Sequence, residues 1–344
     1  MAPKQISEKN KRPGVIYTYN SEGVELPVID ITNPAFHIES TKEILDQKID
    51  AFLKQQAQHD KMPKFFMDFM MKLIMRNSVL GQAVMNTGPG FLSGMSTYLM
   101  KLGPDNLGAA YTVKVDRMIA DSPPAFAMRL RLQDMARLLK QNLESRLKTA
   151  PGRDVYMISI AGGPAPDCLN ALILLQKENP GLLAGRKVLI HVLDLVSEGP
   201  EFGKSSLKAF QLAGAPLAGV DAEFIHSQYD WTKPEILPMI IQEGLKDRIV
   251  ILSSEGGLFE YGDDETVRSN LSALAGMVPD DPVFIGSVTR DEGPVITLKK
   301  MSRVPTVPRN RVSFAALARS AGWEVIETQD GIFSFNAVLK KTGK

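Results

Sequence analysis

The sequence has one cysteine, Cys168, in 344 residues, so no disulfide can close within the chain. A reducing, cytoplasmic setting is expected. Neither sign of charge is in surplus: 40 lysines and arginines stand against 39 aspartates and glutamates, a net +1. That balance gives no general pull toward nucleic acid or an anionic membrane, and neither is expected as a partner. Long apolar runs are missing too. The most apolar helical stretch, Phe65 to Met75, is broken by Asp68 and Lys72 and is too short to span a bilayer. Residues Met1 to Gly14 are polar and basic, lack the apolar centre of a signal peptide, and are expected to form a disordered tail. Four histidines lie far apart, with no cysteine or acidic residue at metal-ligand spacing, so no metal is expected. Hydrophobic residues, by contrast, make up 44% of the chain, enough to bury a large core over two domains.

The pattern changes near residue 150. Val15 to Tyr19 and Val24 to Ile31 flank Asn20-Ser21-Glu22-Gly23, which predicts a hairpin. From Ser40 to Leu147 the period is helical, with Met128, Leu132, Met135, Leu139 and Leu143 on one face of the last helix and Arg129, Arg131, Arg137 and Lys140 opposite. Residues 15–150 therefore read as a mainly helical domain. Half of the sixteen methionines lie between Met62 and Met100, interleaved with Phe65, Phe66, Phe69 and Phe91. Methionine adapts to varied apolar partners. These helices are expected to cover a binding site and to contribute an apolar pocket that includes Phe66 and Met70; ordinary core packing or a homodimer interface is the alternative.

After Pro151-Gly152, short apolar runs at Val155–Ile160, Val188–Leu193, Ala222–Ile225, Ile249–Leu252 and Val283–Val288 alternate with helical stretches. This predicts βαβ units and a parallel sheet over residues 151–344. Ser313 is expected to cap a helix ending near Gly322. Trp323–Thr328 and Ile332–Leu339 then stand too close in sequence for a parallel crossover and must pair antiparallel. The fold class is α/β: a Rossmann-like, mostly parallel sheet closed by an antiparallel hairpin, behind a helical N-terminal domain.

Ligands on such sheets sit at the carboxyl ends of the strands. There the first strand runs into Ser159-Ile160-Ala161-Gly162-Gly163-Pro164-Ala165, the second ends at Asp194, and the third ends at His226-Ser227-Gln228-Tyr229-Asp230-Trp231. The fourth leads into Ser253-Ser254-Glu255-Gly256-Gly257-Leu258-Phe259-Glu260-Tyr261. In this order the segments resemble the motifs of class I S-adenosylmethionine-dependent methyltransferases. Laid on the first motif, Ser159 takes the usually acidic place, while Ala161, Gly163 and Ala165 take the three glycine places. The resemblance implies S-adenosyl-L-methionine as cofactor, held by Ser159, Ala161, Gly162, Gly163, Ala165, Asp194, Asp230, Trp231, Ser254 and Glu255. Asp194 would accept the ribose hydroxyls, and Asp230 with Trp231 would take the adenine. Phe259 and Tyr261 would line the acceptor pocket. The methyl acceptor is expected to be a small, apolar molecule. Should a general base exist, Glu255, His226 and Tyr261 are the candidates.

Two other functions fit a glycine-bearing strand–turn–helix. A nicotinamide-dependent oxidoreductase would need the Gly-x-Gly-x-x-Gly spacing, which is absent. A non-catalytic binding protein of the same fold remains compatible with the alanines. Cys168 and His191 fall on apolar runs and read as packing residues.

Overall fold

Asn20 sets the first element. Its Oδ1 accepts the amides of Glu22 (3.1 Å) and Val24 (2.8 Å), and Gly23 adopts a left-handed φ of 73°. The chain therefore reverses between Tyr17–Tyr19 (β1) and Glu25–Pro27 (β2), which pair antiparallel. The computed structural model describes residues 5–39, 41–59, 75–85, 92–108, 111, 113–279, 281–293, 296 and 305–343. Within residues 5–14, expected as a tail, Ile6 is buried and Lys11 and Arg12 are half-buried, while the rest are exposed. Ile6 is buried, lies against the position of Gly108, and donates its amide to Glu25 Oε2 at 2.8 Å, while Lys11 pairs with Glu25 at 3.0 Å.

Helices follow at Lys42–His59 (α1), Val79–Met85 (α2), Gly94–Leu102 (α3), Lys114–Ala120 (α4) and Pro123–Thr149 (α5). The last begins at a proline pair, where a missing N–H costs nothing, and is capped by Ser122, whose hydroxyl accepts the Ala125 amide. Its apolar stripe is buried as the period predicts. The opposite face is only partly left to solvent: the Arg137 side chain is 41% exposed, but Arg131 turns inward to two carboxylates, and Lys140 reaches Glu144 and Glu178.

Seven strands form the main sheet: Asp154–Ile160 (β3), Val188–Asp194 (β4), Ala222–Gln228 (β5), Arg248–Ser254 (β6), Val283–Thr289 (β7), Trp323–Asp330 (β8) and Ser334–Lys341 (β9). Their spatial order is β5-β4-β3-β6-β7-β9-β8. The first five are mutually parallel, and β9 slots antiparallel between β7 and β8. Both faces are covered. Val155 and Met157 pack with α5, with Pro166–Glu178 (α6) and with Glu198–Phe210 (α7). Tyr156, Ile158 and Ile160 point the other way, onto Leu237–Ile241 (α8), past the single turn Leu258–Tyr261 (α9), to Asp264–Met277 (α10) and Arg311–Ser320 (α11). This alternation is the period-two geometry of a strand buried on two sides. The core containing Met135, Leu139 and Leu143 of α5 is continuous with that of β3, β6 and β7, so the change of pattern near residue 150 does not separate two cores.

Helix α11 starts at Arg311, with Asn310 as its cap, earlier than the expected Ser313; the Asn310 side chain accepts the Ser313 amide at 2.8 Å. His191 is buried between Tyr156 (2.6 Å) and Ser227 (2.8 Å), and burial lowers its pKa to about 4. Cys168 is also buried. Among the described residues, no helix is long and apolar enough to cross a membrane.

Leu139 is fully buried at the centre of the α5–sheet contact. Replacing it with alanine is expected to lower unfolding stability by about 2–5 kcal/mol, read from urea denaturation.

Candidate functional site

The strand order reverses between β3 and β6: from β3 the chain builds outward through β4 and β5, then returns to the other side. The carboxyl ends of strands at such a point leave a crevice. The turn after β3 is forced into it by an unusual backbone. Ala161, Gly163 and Ala165 all have left-handed φ, at 54°, 54° and 48°. The two alanines thus hold the conformation that glycine takes without strain, at a cost of about 1–2 kcal/mol each. The places aligned with the family's glycines keep the glycine shape although two of the three residues are not glycine.

Two neighbouring backbones close on this turn. A Cβ on Gly94 would stand 2.7 Å from the Gly163 Cα, and one on Gly199 2.9 Å from it. The first turn of α3 therefore rests directly on the β3 turn as a roof. Helix α3 is fixed there by Tyr98, whose hydroxyl donates to Pro27 O (2.9 Å) and accepts the Ile29 amide (3.0 Å). Asn170 of α6 binds the same segment through Ile29 and Ile31.

Between roof and sheet lies a narrow cleft, with about 70 Å³ open to the centre of a water-sized sphere. Its roof is formed by Leu92, Ser93, Gly94, Thr97, Tyr98 and Lys101, and its floor by Ala161, Gly162, Pro164 and Pro166. One end carries Asp194, Leu195 and Val196 with Tyr229, Asp230 and Trp231; the other carries Arg131, Glu255, Gly256, Gly257 and Tyr261. Asp194 braces the β3 turn, accepting the Gly163 amide on Oδ2 and the Val196 amide on Oδ1, each at 3.0 Å. Burial raises its pKa, and these amides hold the rise back. Each oxygen keeps a further lone pair. Asp230 is tied to Thr232 by two bonds of 2.7 and 3.0 Å, which lower its pKa.

At the opposite end four charged groups are buried together. Lys101 Nζ pairs with Glu255 Oε2. Arg131 Nε holds Glu255 Oε1 at 2.6 Å, and its Nη1 holds Glu260 at 2.7 Å. Burial pushes the Glu255 carboxyl up, but Lys101 and Arg131 outweigh it and keep the group below its ordinary value. Glu260, with Arg131 against it and Glu255 beside it, is raised by burial. Near Glu255, Asp167 and Ser159 are fully buried. Burial, then Glu255, raise Asp167 to about 6, against the pull of Ser253 and the Cys168 amide.

The expected site residues divide. Ala161, Gly162, Asp194, Asp230, Trp231, Glu255 and Tyr261 come together around the cleft. Gly163 acts through its backbone, under Gly94 and Gly199. Ser159 and Ala165 lie behind the turn rather than on the cleft, Ser159 directly beneath Gly162. Ser254 is corrected to a buried brace: its hydroxyl donates to Ile160 O (3.1 Å) and accepts the Leu258 amide (2.9 Å). Phe259 is corrected from pocket to core. It is wholly buried against Phe284, Phe314 and the bare backbone of Gly286. His226 is off the cleft, with Nε2 bonded to the Asp194 carbonyl at 2.9 Å. Glu255 is corrected as a base, because both its oxygens are committed to cations. Phe66 and Met70 lie outside the described residues. Lys101, Arg131, Tyr98 and Asp167 were not anticipated. Lys101 left one signal, as the one basic residue on a mostly apolar helix, whereas Arg131 lies among Arg129, Gln133 and Asp134.

No protein-family model matches the sequence, and no curated protein matches it. Solved structures do resemble it. One is a possible exported protein from Bordetella parapertussis, 16% identical, with a TM-score of 0.54 over 90% of this chain and 99% of that one. Another is the 1,6-didemethyltoxoflavin-N1-methyltransferase of Burkholderia thailandensis with bound S-adenosylhomocysteine: 15% identity, TM-score 0.40, 62% of this chain and 79% of that one. A third is the magnesium protoporphyrin IX methyltransferase of Synechocystis PCC 6803: 15% identity, TM-score 0.43, 64% and 87% coverage. At these identities the first likeness bears on the fold alone.

Two measurements check the site. Ala161→Gly relieves a left-handed alanine and is expected to raise stability by about 0.5–1 kcal/mol in denaturant titration. Asp167 binds its proton more tightly folded than unfolded, since about 6 lies above the usual carboxylate value. Its charge therefore destabilises the fold at neutral pH, and that burden lifts as pH falls from about 6 to 4. Wild type should gain on the order of 2 kcal/mol relative to Asp167→Asn over that window. A pH-independent difference between the two would contradict the assignment.

Proposed function

We propose that the protein is an S-adenosylmethionine-dependent methyltransferase acting on a small molecule. The observation that carries this reading is the single cleft at the β3/β6 reversal, onto which the β3 turn, Asp194, Asp230–Trp231 and Glu255 all converge. The residues present fit an adenosyl sulfonium. The turn keeps a left-handed backbone even at alanine, and Gly162 packs so closely on Ser159 beneath it that a side chain there would meet Ser159 Oγ at 2.0 Å. Three carboxylates, Asp194, Asp230 and Glu255, line the cleft against two cations, Lys101 and Arg131. That balance suits a ligand of net positive charge.

S-adenosylmethionine, when bound, supplies an activated methyl group on sulfur. The chain's own part is positioning and exclusion of water. Asp194 would hold the ribose hydroxyls through its remaining lone pairs, and Asp230 with Trp231 would take the adenine. Helix α3 covers the cleft and keeps water from the acceptor. Orienting two reactants this way is worth up to about 7–11 kcal/mol in favourable cases. Tyr261 lines the cleft at the Glu255 end, and burial, then Glu260, raise its pKa, so the phenol stays protonated and can donate a hydrogen bond to an acceptor. Glu255, held ionised between two cations, orients rather than takes protons. The acceptor on this reading is small and neutral or cationic, since the described lining of the cleft has no cation besides Lys101 and Arg131, both already paired with carboxylates. The buried, lone Cys168 suits a reducing, cytoplasmic setting.

Calorimetric titration tests the reading. S-adenosylmethionine and S-adenosylhomocysteine should bind at micromolar concentration, NAD(P) should not, and Asp194→Ala should weaken both sulfur nucleosides at least about tenfold, as the loss of hydrogen bonds to a charged group requires. Binding of NAD(P) in their place would refute it; binding of none would point to a non-catalytic protein on this fold.

A further inference from the structure

A second cavity lies between the N-terminal segment, the loop after α3 and helix α4, and among the described residues it shares none of its lining with the cleft. About 360 Å³ of it is open to the centre of a water-sized sphere, several times the opening of the cleft. Sites for small molecules span about 300–1,000 Å³. One wall is the polar, basic segment before β1, which is held by one buried carboxylate: Glu25 accepts the Ile6 amide on Oε2 and pairs with Lys11 through Oε1. Lys11 also lies over the Tyr17 ring, and the Arg12 amide donates to the Tyr17 hydroxyl at 2.9 Å. These contacts set the Arg12 side chain on the lining. Its charged groups are Arg12, Arg117 and Asp105, a balance of plus one, opposite in sign to the cleft. The Arg117 guanidinium, exposed on α4, has no ion pair or hydrogen bond with any described residue. Arg12 meets Asp105 only at 3.8 Å, and the Asp105 side chain is 73% exposed. So open a pair is worth little and gives way readily, because water takes back the carboxylate. Two phenols add donors. Tyr17 accepts the Arg12 amide, and its own proton has no acceptor among the described residues. Tyr111 is buried in the wall and kept protonated by burial, then by Glu22, Asp116 and Glu198.

We propose that this cavity is a second ligand site, for a small organic anion: one carboxylate or phosphate group on a compact apolar body. The oxyanion takes the guanidinium groups of Arg12 and Arg117, whose planar forks of N–H donors match either head group. Asp105 gives up Arg12 and turns to water, so the exchange leaves no charge buried and unpaired. The body rests against Ile6 and Leu107. The site stands apart from the methyl-transfer reading, since the cleft, with its excess of carboxylate, repels such a ligand. Asn106, nine-tenths buried in the wall, donates from Nδ2 to Ala35 O and Leu102 O, each at 2.8 Å, so the cavity is fastened to the last residue of the roof helix.

The test uses three probes of similar size on the full chain at low salt: benzoate, phenyl phosphate and neutral benzamide. Titration calorimetry should show at least one of the two anions binding with a Kd of about 1 mM or tighter, and benzamide at least about tenfold weaker. The tighter anion identifies the head group. Arg12→Gln and Arg117→Gln should each weaken that anion about three- to tenfold, and the double variant at least about tenfold, with the melting temperature of each within about 2 °C of wild type. Benzamide binding as tightly as benzoate would overturn the proposal, and that comparison needs no variant. So would the absence of binding by either anion up to about 10 mM. Anion binding that survives unchanged in the double variant would place the anion elsewhere on the protein and overturn it too.

Discussion

The arrangement of the cleft depends on three backbones meeting at Gly163. Gly94 from α3 and Gly199 from α7 approach the β3 turn so closely that a methyl on any of the three would collide. Side-chain packing cannot bring elements this near; only bare backbone can. The contact fixes the height of the roof above the sheet, and with it the depth of the cleft. Asp194 secures the same turn from the side, through the Gly163 amide. One residue thus joins the roof, the floor and the β4 end.

Buried charge is the second constraint, and it works against stability as well as for position. Placing Lys101, Arg131, Glu255 and Glu260 in one dry cluster forfeits hydration that their pairing only partly returns. An apolar cluster of equal volume would serve packing as well or better. What the charges add is direction: Arg131 holds Glu255 and Glu260 from α5, and Lys101 holds Glu255 from α3, so the helical half docks on the β6 end at one register. The opposite pulls on Glu255 and Glu260 show the same thing locally. Glu255 has two cations and is held down, while Glu260 has a share of one and is raised.

Much of this was legible in the residues. The parallel strands are legible because strands covered on both faces are apolar at nearly every position, and the final pair must be antiparallel because its connection is short. That β9 would lie inside β8, between it and β7, was not legible, since strand order is a long-range property. At the site, Asp194, Asp230, Trp231 and the Ala161–Gly162 turn could be placed because each stands at a strand end. Phe259 and Ser254 were misplaced for the same reason. Residues just past a strand end alternate between cleft and core, and Gly286, far away in sequence, opens the core for the Phe259 ring. Arg131 reads as a member of a solvated basic face with Arg129, Arg137 and Lys140, and the carboxylates of both Arg131 and Lys101 come from more than a hundred residues away.

The methionine-rich segment shows how one sequence signal can serve two roles at once. Met95 and Met100 of α3 are buried in the core that α3 shares with Leu132 and Ala136 of α5 and Phe202 of α7. Those methionines do not face the cleft; Thr97, Tyr98 and Lys101 of the same helix do. The helix is amphipathic in an inverted sense: its apolar stripe is turned away from the cleft into the protein, and its polar stripe forms the roof. A roof held by its own core keeps its shape without a ligand beneath it, and the ion pair to Glu255 sets where its far end rests. Preorganisation of this kind is what a reaction driven by orientation requires, because groups already fixed in place lose little freedom when the reactants meet.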